Sequence, residues 1–485
     1  MPEVRRYVMR GLEKISSGCL WLFHILIFNY QSALGKIRAN MGSITEEKHI
    51  NLQLGWPSPA LFPSEALITA SQAVLGDPKI AAQALVYGPD PGHEALRSAI
   101  ASWLFGFYHP EAGPIDPSRI FVTNGASGAL SMLLTRFTDP EYTKRIWAIE
   151  PTYFLAAQAF QDAGFDGRMR GVPEDDEGID IDFLRQGLLE SEKEPAKEAT
   201  FKGAAACPKI YKHIIYAIPT FSNPSAKTMS LRRREQLVQL AREFDALVIT
   251  DDVYDWLRWP ASETGQTQLS QPPPRLVDVD RKLPGTTTFG NAVSNGSFSK
   301  IVGPGVRVGW VEGSPDVVKE LCKYGPVRSG GCQGHLSSMF ISHLVSSGAL
   351  EKHIQETLIP TYQQRYYAMM ESLKTHLLPL GFTISPTGDY EGSRGPVEAG
   401  GFFTYINVPT NTLRTSELVE HALDRFNLRV AHGGMMLVAG DPDCASRASQ
   451  GFGQALRLCW AWHEKEDIDE GIRRLAAAFQ SIQAR

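Results

Sequence analysis

The sequence predicts an α/β protein: a large domain with a doubly wound, mostly parallel sheet, followed by a smaller α+β C-terminal domain. Three observations point there. From Ile50 to Glu190 helix-like and strand-like periods alternate. His213 to Asp252 spells one β–α–β crossover, whose two strands must run parallel. Beyond Gly330 the pattern changes to long amphipathic helices, then to short strands and a closing helix. A chain of 485 residues has room for both domains. Residues 1–45 are expected to lie outside the fold, 46–80 to pack with the small domain, 81–330 to form the large domain and 331–485 the small one.

Taken in order, RIFVTNGASGALSMLL (119–134) reads as strand, glycine turn and helix. RIWAIEPTYFLAAQAF (145–160) repeats that plan, with Pro151 at the change of period. The charged stretch ESEKEPAKEATFKG (190–203) is a solvated loop between units. The strand HIIYAIP, the turn TFSNPSAKTMS, the helix LRRREQLVQLAREFD and the strand ALVITDD then make the crossover. Pro260 to Gly296 is rich in Pro, Ser and Thr and reads as a mostly irregular surface excursion. After it come the helical LEKHIQETLIPTYQQRYYAMMESLKTHL (350–377), the strands of GGFFTYINVP and LRLCWAWHE, and the helix EDIDEGIRRLAAAFQSI. No internal repeat and no helix-turn-helix module is evident.

An apolar fraction of 43% with 21% charged residues is ordinary for a globular protein, and a net charge of −5 excludes an obvious nucleic-acid surface. Six scattered cysteines, with no CxxC pair and no ligand-like spacing to histidine, argue for a reducing compartment and against a zinc site or disulfide scaffold. No metal is expected, and the cytoplasm is the expected location. The N-terminus stands apart. Arg5, Arg6, Arg10 and Lys14 precede the apolar run Cys19 to Phe28, which is shorter than the roughly 20 residues of a membrane span. A secretory signal, an organelle presequence and a membrane-surface helix stay open. The preferred reading is an extension outside the fold, with Met41 opening a more ordinary N-terminus.

The chemistry centres on GSFSKIVGPGVRVGW (296–310). Lys300 offers an amine nucleophile, and Ser297, Ser299 and Arg307 offer donors suited to a phosphate. Gly303, Pro304 and Gly305 turn the chain back between them. Upstream, VTNGASGAL puts the amides of Gly125, Ala126 and Ser127 at a helix N-terminus, a natural anion site. EPTY supplies Tyr153, PTFSNPSAKT supplies Asn223, and TDDVYDWL supplies Asp251 and Tyr254 at the end of a strand. Each segment alone has a plain structural reading: a loop, a turn, a core tyrosine or a helix cap.

Together and in this order, the segments closely resemble the class I/II aminotransferases, from about Ile50 to the C-terminus. Within that family the resemblance is to enzymes acting on 2-aminoadipate, kynurenine and aromatic amino acids, and to the valine–pyruvate type. It implies fold type I with pyridoxal phosphate as cofactor, joined covalently to Lys300. The turn Gly125–Ser127, Ser297, Ser299 and Arg307 would bind its phosphate. Ala126 stands where a hydroxyl is common, leaving more to backbone groups. Tyr153 would lie against the pyridine ring, Asn223 and Tyr254 would donate to the phenolic oxygen, and Asp251 would pair with the ring nitrogen. An anionic carboxylate there keeps the nitrogen protonated, so the ring can accept electrons. Of the aspartate pair Asp251 matches the pattern, and Asp252 is read as structural.

By the same resemblance, Arg457 of ALRLCWAW would take the substrate α-carboxylate, and INLQLGWPSPALFP, with Gly55 and Trp56, would close over the substrate alongside Asn223. Tyr87 would reach a neighbouring subunit's phosphate, which implies a homodimer with shared sites. Two departures concern substrate choice: the length of the 260–296 excursion, and Met435 and Met436 where relatives often carry an aromatic. With Trp56, the methionines suggest an apolar or long side chain, and a lysine-type donor in amino-acid or secondary metabolism stays open. The implied reaction is amino-group transfer between an α-amino acid and a 2-oxo acid. A lyase or synthase on the same cofactor is the alternative. An aminotransferase-like transcription regulator would need a DNA-binding domain that the sequence does not supply, and a catalytically dead binder is disfavoured by Lys300, Asp251 and Arg307.

Overall fold

Side chains alternate between the two faces of a strand, and the central strands of the main sheet feed two cores. Leu247 and Ile249 join one apolar cluster with Ile146 and Ile214, whereas Ala246 and Val248 join another with Trp147 and Ile215. With both faces covered, the central strands read as near-continuous apolar runs. The computed structural model describes residues 48–484 apart from 196, 204–205, 265–268, 388–396 and 410–412. The readings of the N-terminal segment fall on residues 1–47, outside the described residues. Among the described residues no helix is long and apolar enough to cross a membrane.

The main sheet comprises β1 (Ile120–Thr123), β2 (Arg145–Glu150), β3 (Met169–Asp175), β4 (Gly178–Ile179), β5 (His213–Ala217), β6 (Ala246–Asp251), β7 (Ala292–Ser297) and β8 (Gly309–Glu312). Its order is β1-β8-β7-β6-β5-β2-β3-β4. From β7 through β3 neighbouring strands are parallel, whereas β8 is antiparallel to both its neighbours and β4 is antiparallel to β3. Helix α1 (Ala126–Phe137) packs Ala129 and Leu133 into the first core, and α2 (Leu231–Glu243) packs Leu237 and Ala241 into the second. Ser230 starts α2 by accepting from the Arg233 amide at 3.1 Å.

A second sheet, wholly antiparallel, is formed by β9 (Thr383–Ile384), β10 (Phe403–Asn407), β11 (Ala431–His432) and β12 (Ala455–Cys459), in the order β9-β10-β12-β11. The short strand Ile50–Asn51 pairs in parallel with Leu428–Arg429. The helices Ile359–Ser372 and Lys465–Gln483 pack on each other.

One expectation needs correction. Pro260 to Gly296 is irregular over most of its length, yet it is not all surface: Leu276–Lys282 is a helix whose Leu276 and Val279 enter the second core, and Ala292–Ser297 is a central strand. The strand escapes a hydropathy reading because Ser294 and Asn295 face polar partners instead of apolar ones.

Candidate active site

The strands β5, β6 and β7 end together at one side of the sheet, the position where open parallel sheets take their ligands. A cavity of about 770 Å³ opens there. It brings together Lys300, Asp251, Tyr254, Asn223, Tyr153 and Arg457, and also Arg307, Ser297, Ser299, Ala126, Ser127 and Gly55.

Asp251 is the last residue of β6, in register with Asn295 of β7. The Tyr216 hydroxyl donates to Asp251 Oδ2 at 2.9 Å, whereas Oδ1 is buried with no partner among the described residues. Desolvation raises the Asp251 carboxyl to about 6, against the opposing hydrogen bond from Tyr216. Asp252 behaves differently. Its Oδ2 accepts from Thr250 Oγ1 at 2.7 Å and Ser294 Oγ at 2.5 Å, and it is no part of the cavity wall. The pleat thus sends the two adjacent carboxylates to opposite faces, as period 2 requires.

Lys300 ends the tight turn Phe298–Lys300 directly after β7. Its Nζ donates to the Gly55 carbonyl at 2.9 Å and lies 5.8 and 5.3 Å from the ring centres of Tyr254 and Phe402. Part of the side chain opens onto the cavity, yet enough protein surrounds it that desolvation lowers the amine to about 8. An amine so lowered is partly neutral near physiological pH, which nucleophilic attack on a carbonyl requires.

The donors for a phosphate gather at the start of α1. Gly125, its N-cap, has φ 99°, and a Cβ there would stand 2.7 Å from Arg307 Nη2. Glycine is therefore required twice over, by backbone and by space. Arg307 itself has φ 51°, a left-handed conformation that costs a bulky residue about 1–2 kcal/mol. It is held there as Nη1 donates to Pro304 O at 3.0 Å and Nη2 to Asn124 O at 2.7 Å. Ser297 Oγ donates to Ser299 Oγ at 2.9 Å, and Asn295 Nδ2 ties the helix start by donating to Ala126 O at 3.0 Å. Gly125 shapes the cradle without lining it.

On the opposite wall Arg457 projects from β12. Nη1 donates to Asn223 Oδ1 at 2.7 Å, Nη2 donates to the Gln53 carbonyl at 2.6 Å, and the guanidinium covers the Phe403 ring at 4.3 Å. Trp56 lines the mouth, 58% exposed, with its ring 6.2 Å from that of Trp462.

Tyr87 is not brought to this cavity and is 82% exposed. The use of Met435 and Met436 as substrate contacts is corrected, since neither lines the cavity. Met436 is buried, and its carbonyl accepts from Thr152 N at 3.0 Å. Sequence reasoning missed Tyr216, Asn295, Gln53 and Arg429, all of which line the cavity. Period 2 counted back from Ser297 finds Asn295. No local signal marks the other three.

A phosphate-bearing aldehyde with a protonatable ring nitrogen fits this arrangement. The orphaned Asp251 Oδ1, the cradle that a Cβ at Gly125 would fill and the lowered amine of Lys300 are the features it needs.

The family description "Aminotransferase class I and II" matches residues 50–475. Aromatic-amino-acid aminotransferase 1 of Thermococcus litoralis is 30% identical over 92% of this chain and 92% of its own length. The kynurenine aminotransferase of Pyrococcus horikoshii, crystallised in complex with PMP, superposes with a TM-score of 0.71 at 25% identity, over 98% of this chain and 96% of that one. LysN, the alpha-aminoadipate aminotransferase of Thermus thermophilus, complexed with N-(5'-phosphopyridoxyl)-L-leucine, gives 0.68 at 25% identity, over 94% and 99%. These proteins share fold type I, and their names favour amino-group transfer over the lyase, synthase and regulator readings. With nearly its whole length matched, the chain belongs to the class I and II aminotransferases, the transaminases whose cofactor is pyridoxal phosphate.

Proposed function

We propose that Lys300 carries the cofactor and moves the proton at the substrate α-carbon while an amino group passes between an α-amino acid and a 2-oxo acid. One observation carries this reading: the lowered amine of Lys300 and the orphaned carboxylate oxygen of Asp251 share one cavity. When bound, pyridoxal phosphate supplies the aldehyde that accepts the amino group and a ring that draws electrons from the α-carbon. Arg307 forks onto its phosphate, with Ser297, Ser299, Ser127 and the first amides of α1 completing the shell and Gly125 and Ala126 admitting close approach. Asp251 holds the proton on the ring nitrogen. Tyr153 covers the ring, while Asn223, whose Oδ1 already serves Arg457, and Tyr254 donate to the phenolic oxygen. Arg457 takes the α-carboxylate. The segment Gly55–Trp56 screens the reacting carbon from water, and its Gly55 carbonyl orients the Lys300 amine at 2.9 Å.

The assembly is read as a homodimer with shared sites. Leu85, Val86 and Tyr87 form a consecutive apolar run 68%, 64% and 82% exposed, which supports cover by a second copy. Pairing of Ile50–Asn51 with Leu428–Arg429 supports the division in which residues 46–80 pack with the small domain of 331–485, beside a large domain of 81–330. The free thiols of Cys207, Cys322, Cys332, Cys444 and Cys459 support a cytoplasmic location.

The test is the absorption spectrum of purified enzyme with a mixed pool of amino acids and then with a 2-oxo acid, beside Lys300→Ala. Conversion of the cofactor to its amino form and back in wild type only is the expected result. Release of ammonia or carbon dioxide instead would replace transamination by a lyase reaction. Interconversion by Lys300→Ala at the wild-type rate would show that Lys300 neither carries the cofactor nor moves the proton.

A further inference from the structure

Two cations of the cavity are held by carbonyls of one short stretch of chain. Arg457 Nη2 donates to the Gln53 carbonyl, and Lys300 Nζ donates to the Gly55 carbonyl. Whatever fixes residues 51–55 therefore bears on both. Asn51 turns the stretch, since its Oδ1 accepts from Gln53 N at 3.1 Å. The flanking amides of Ile50 and Leu52 donate to the Asn427 and Arg429 carbonyls at 3.1 and 2.8 Å, and the Leu52 carbonyl accepts from Cys459 N at 2.8 Å. The Asn51 amide between them donates instead to a side chain, Nε2 of His463, at 3.0 Å. His463 is 7% exposed and stands between β12 and the helix Lys465–Gln483. An imidazole nitrogen that accepts carries no proton, so the neutral ring has its hydrogen on Nδ1, 3.4 Å from Asp467 Oδ2.

We infer that His463 is a positioning residue: through the Asn51 amide it holds the stretch whose carbonyls aim Arg457 and Lys300. The consequence for substrate rests on Arg457 taking the α-carboxylate, as proposed above. An apolar side chain of similar size could fill the place of the imidazole, but it would leave the Asn51 amide without an acceptor. The stretch would then gain by moving its amide toward water, taking the Gln53 and Gly55 carbonyls with it. Arg457 would keep only its tie to Asn223, and Lys300 would lose the carbonyl it donates to. Reach matters as much as polarity. The accepting atom is the far nitrogen of the ring, so a side chain that presents an oxygen at that distance can replace it and a shorter one cannot.

His463→Leu, His463→Asn and His463→Gln, each as the holoenzyme, test this beside wild type. The glutamine amide reaches the place of Nε2, whereas the asparagine amide stops short. Hydrogen–deuterium exchange of residues 50–56 reads the stretch directly. It should quicken about 10-fold in the Leu and Asn variants and stay within about threefold of wild type in the Gln variant, with the strand Ala246–Asp251 unchanged. Calorimetric titration with 3-phenylpropanoate against 3-phenylpropanamide reads the hold on a carboxylate without turnover. Wild type should favour the carboxylate, and the preference should fall about 10-fold in the Leu and Asn variants and be restored in the Gln variant. Exchange that does not quicken, a Gln variant that behaves like Leu, or quickening shared by Ala246–Asp251 overturns the inference and makes His463 a packing residue. Should His463→Leu fail to fold, the contrast of Asn with Gln carries the test. If wild type shows no preference for the carboxylate, or Arg457→Ala keeps it, the proposed role of Arg457 fails on its own. His463 is then decided by the exchange of residues 50–56.

Discussion

The two sides of the cavity are built on different plans. The floor, with Asp251, Asn295, Lys300 and Arg307, rises from adjacent strand ends of one sheet and the turns directly after them. The wall that faces it is assembled from segments scattered along the chain: Gln53 to Trp56, Asn223, Arg429 and Arg457. Floor groups are fixed by the strand ends and turns that carry them, and Arg307 also by its hydrogen bonds to the Asn124 and Pro304 carbonyls. On the wall, Arg457, Asn223 and Gln53 are instead fixed by hydrogen bonds to one another. Chemistry common to a whole family can be anchored in a sheet, whereas recognition of one substrate can be retuned by exchanging wall residues without disturbing the fold.

If that contrast is right, lesions in the floor should abolish chemistry and lesions in the wall should grade it. Lys300→Ala is expected to have the largest effect, lowering single-turnover transamination by about 10⁴-fold or more while circular dichroism stays native. Asp251→Asn should lower kcat by about 10²–10³-fold, because a neutral amide cannot hold the ring proton. Stopped-flow absorbance would show whether the loss lies in the chemical step. Arg457→Ala should cost about 10- to 100-fold in kcat/KM and act chiefly on KM. An equal fall in kcat would blur the distinction between floor and wall. Gly125→Ala should be the mildest in stability, at about 1–3 kcal/mol of left-handed strain, read as a lower Tm together with weaker cofactor binding.

Protonation adds a further expectation for the floor. The Lys300 amine sits at about 8, so its neutral fraction grows as pH rises through that value. The Asp251 carboxyl sits at about 6, so its anionic fraction falls as pH drops through that value. Uptake of pyridoxal phosphate by the apoprotein should therefore slow below about pH 6 and reach its fastest rate above about pH 8. A flat rate across that range would remove both groups from cofactor capture.

The same contrast explains what could be read from the chain before its folding was known. Asp251, Lys300 and Arg307 sit in short contiguous motifs, because a strand end and its turn are local in sequence. The crossover from His213 to Asp251 was equally legible from its periods. Tyr216, Gln53 and Arg429 were not, since each meets the cavity through tertiary packing or strand pairing that leaves no local pattern. The strand Ala292–Ser297 was missed for a related reason: Ser294 serves Asp252, and Asn295 serves the start of α1, so the strand lacks the apolar run that marks its neighbours. Met435 and Met436 erred in the other direction, because a motif position gave them a cavity role that packing denies.

The clamp on Arg457 has a thermodynamic consequence. A long guanidinium side chain loses rotamer entropy worth about 2 kcal/mol when it is fixed. With both Nη atoms already tied to Asn223 and Gln53, Arg457 undergoes that loss when the chain folds, before any substrate arrives. The α-carboxylate that Arg457 is proposed to take should thus meet a rigid partner and bind with little entropic opposition.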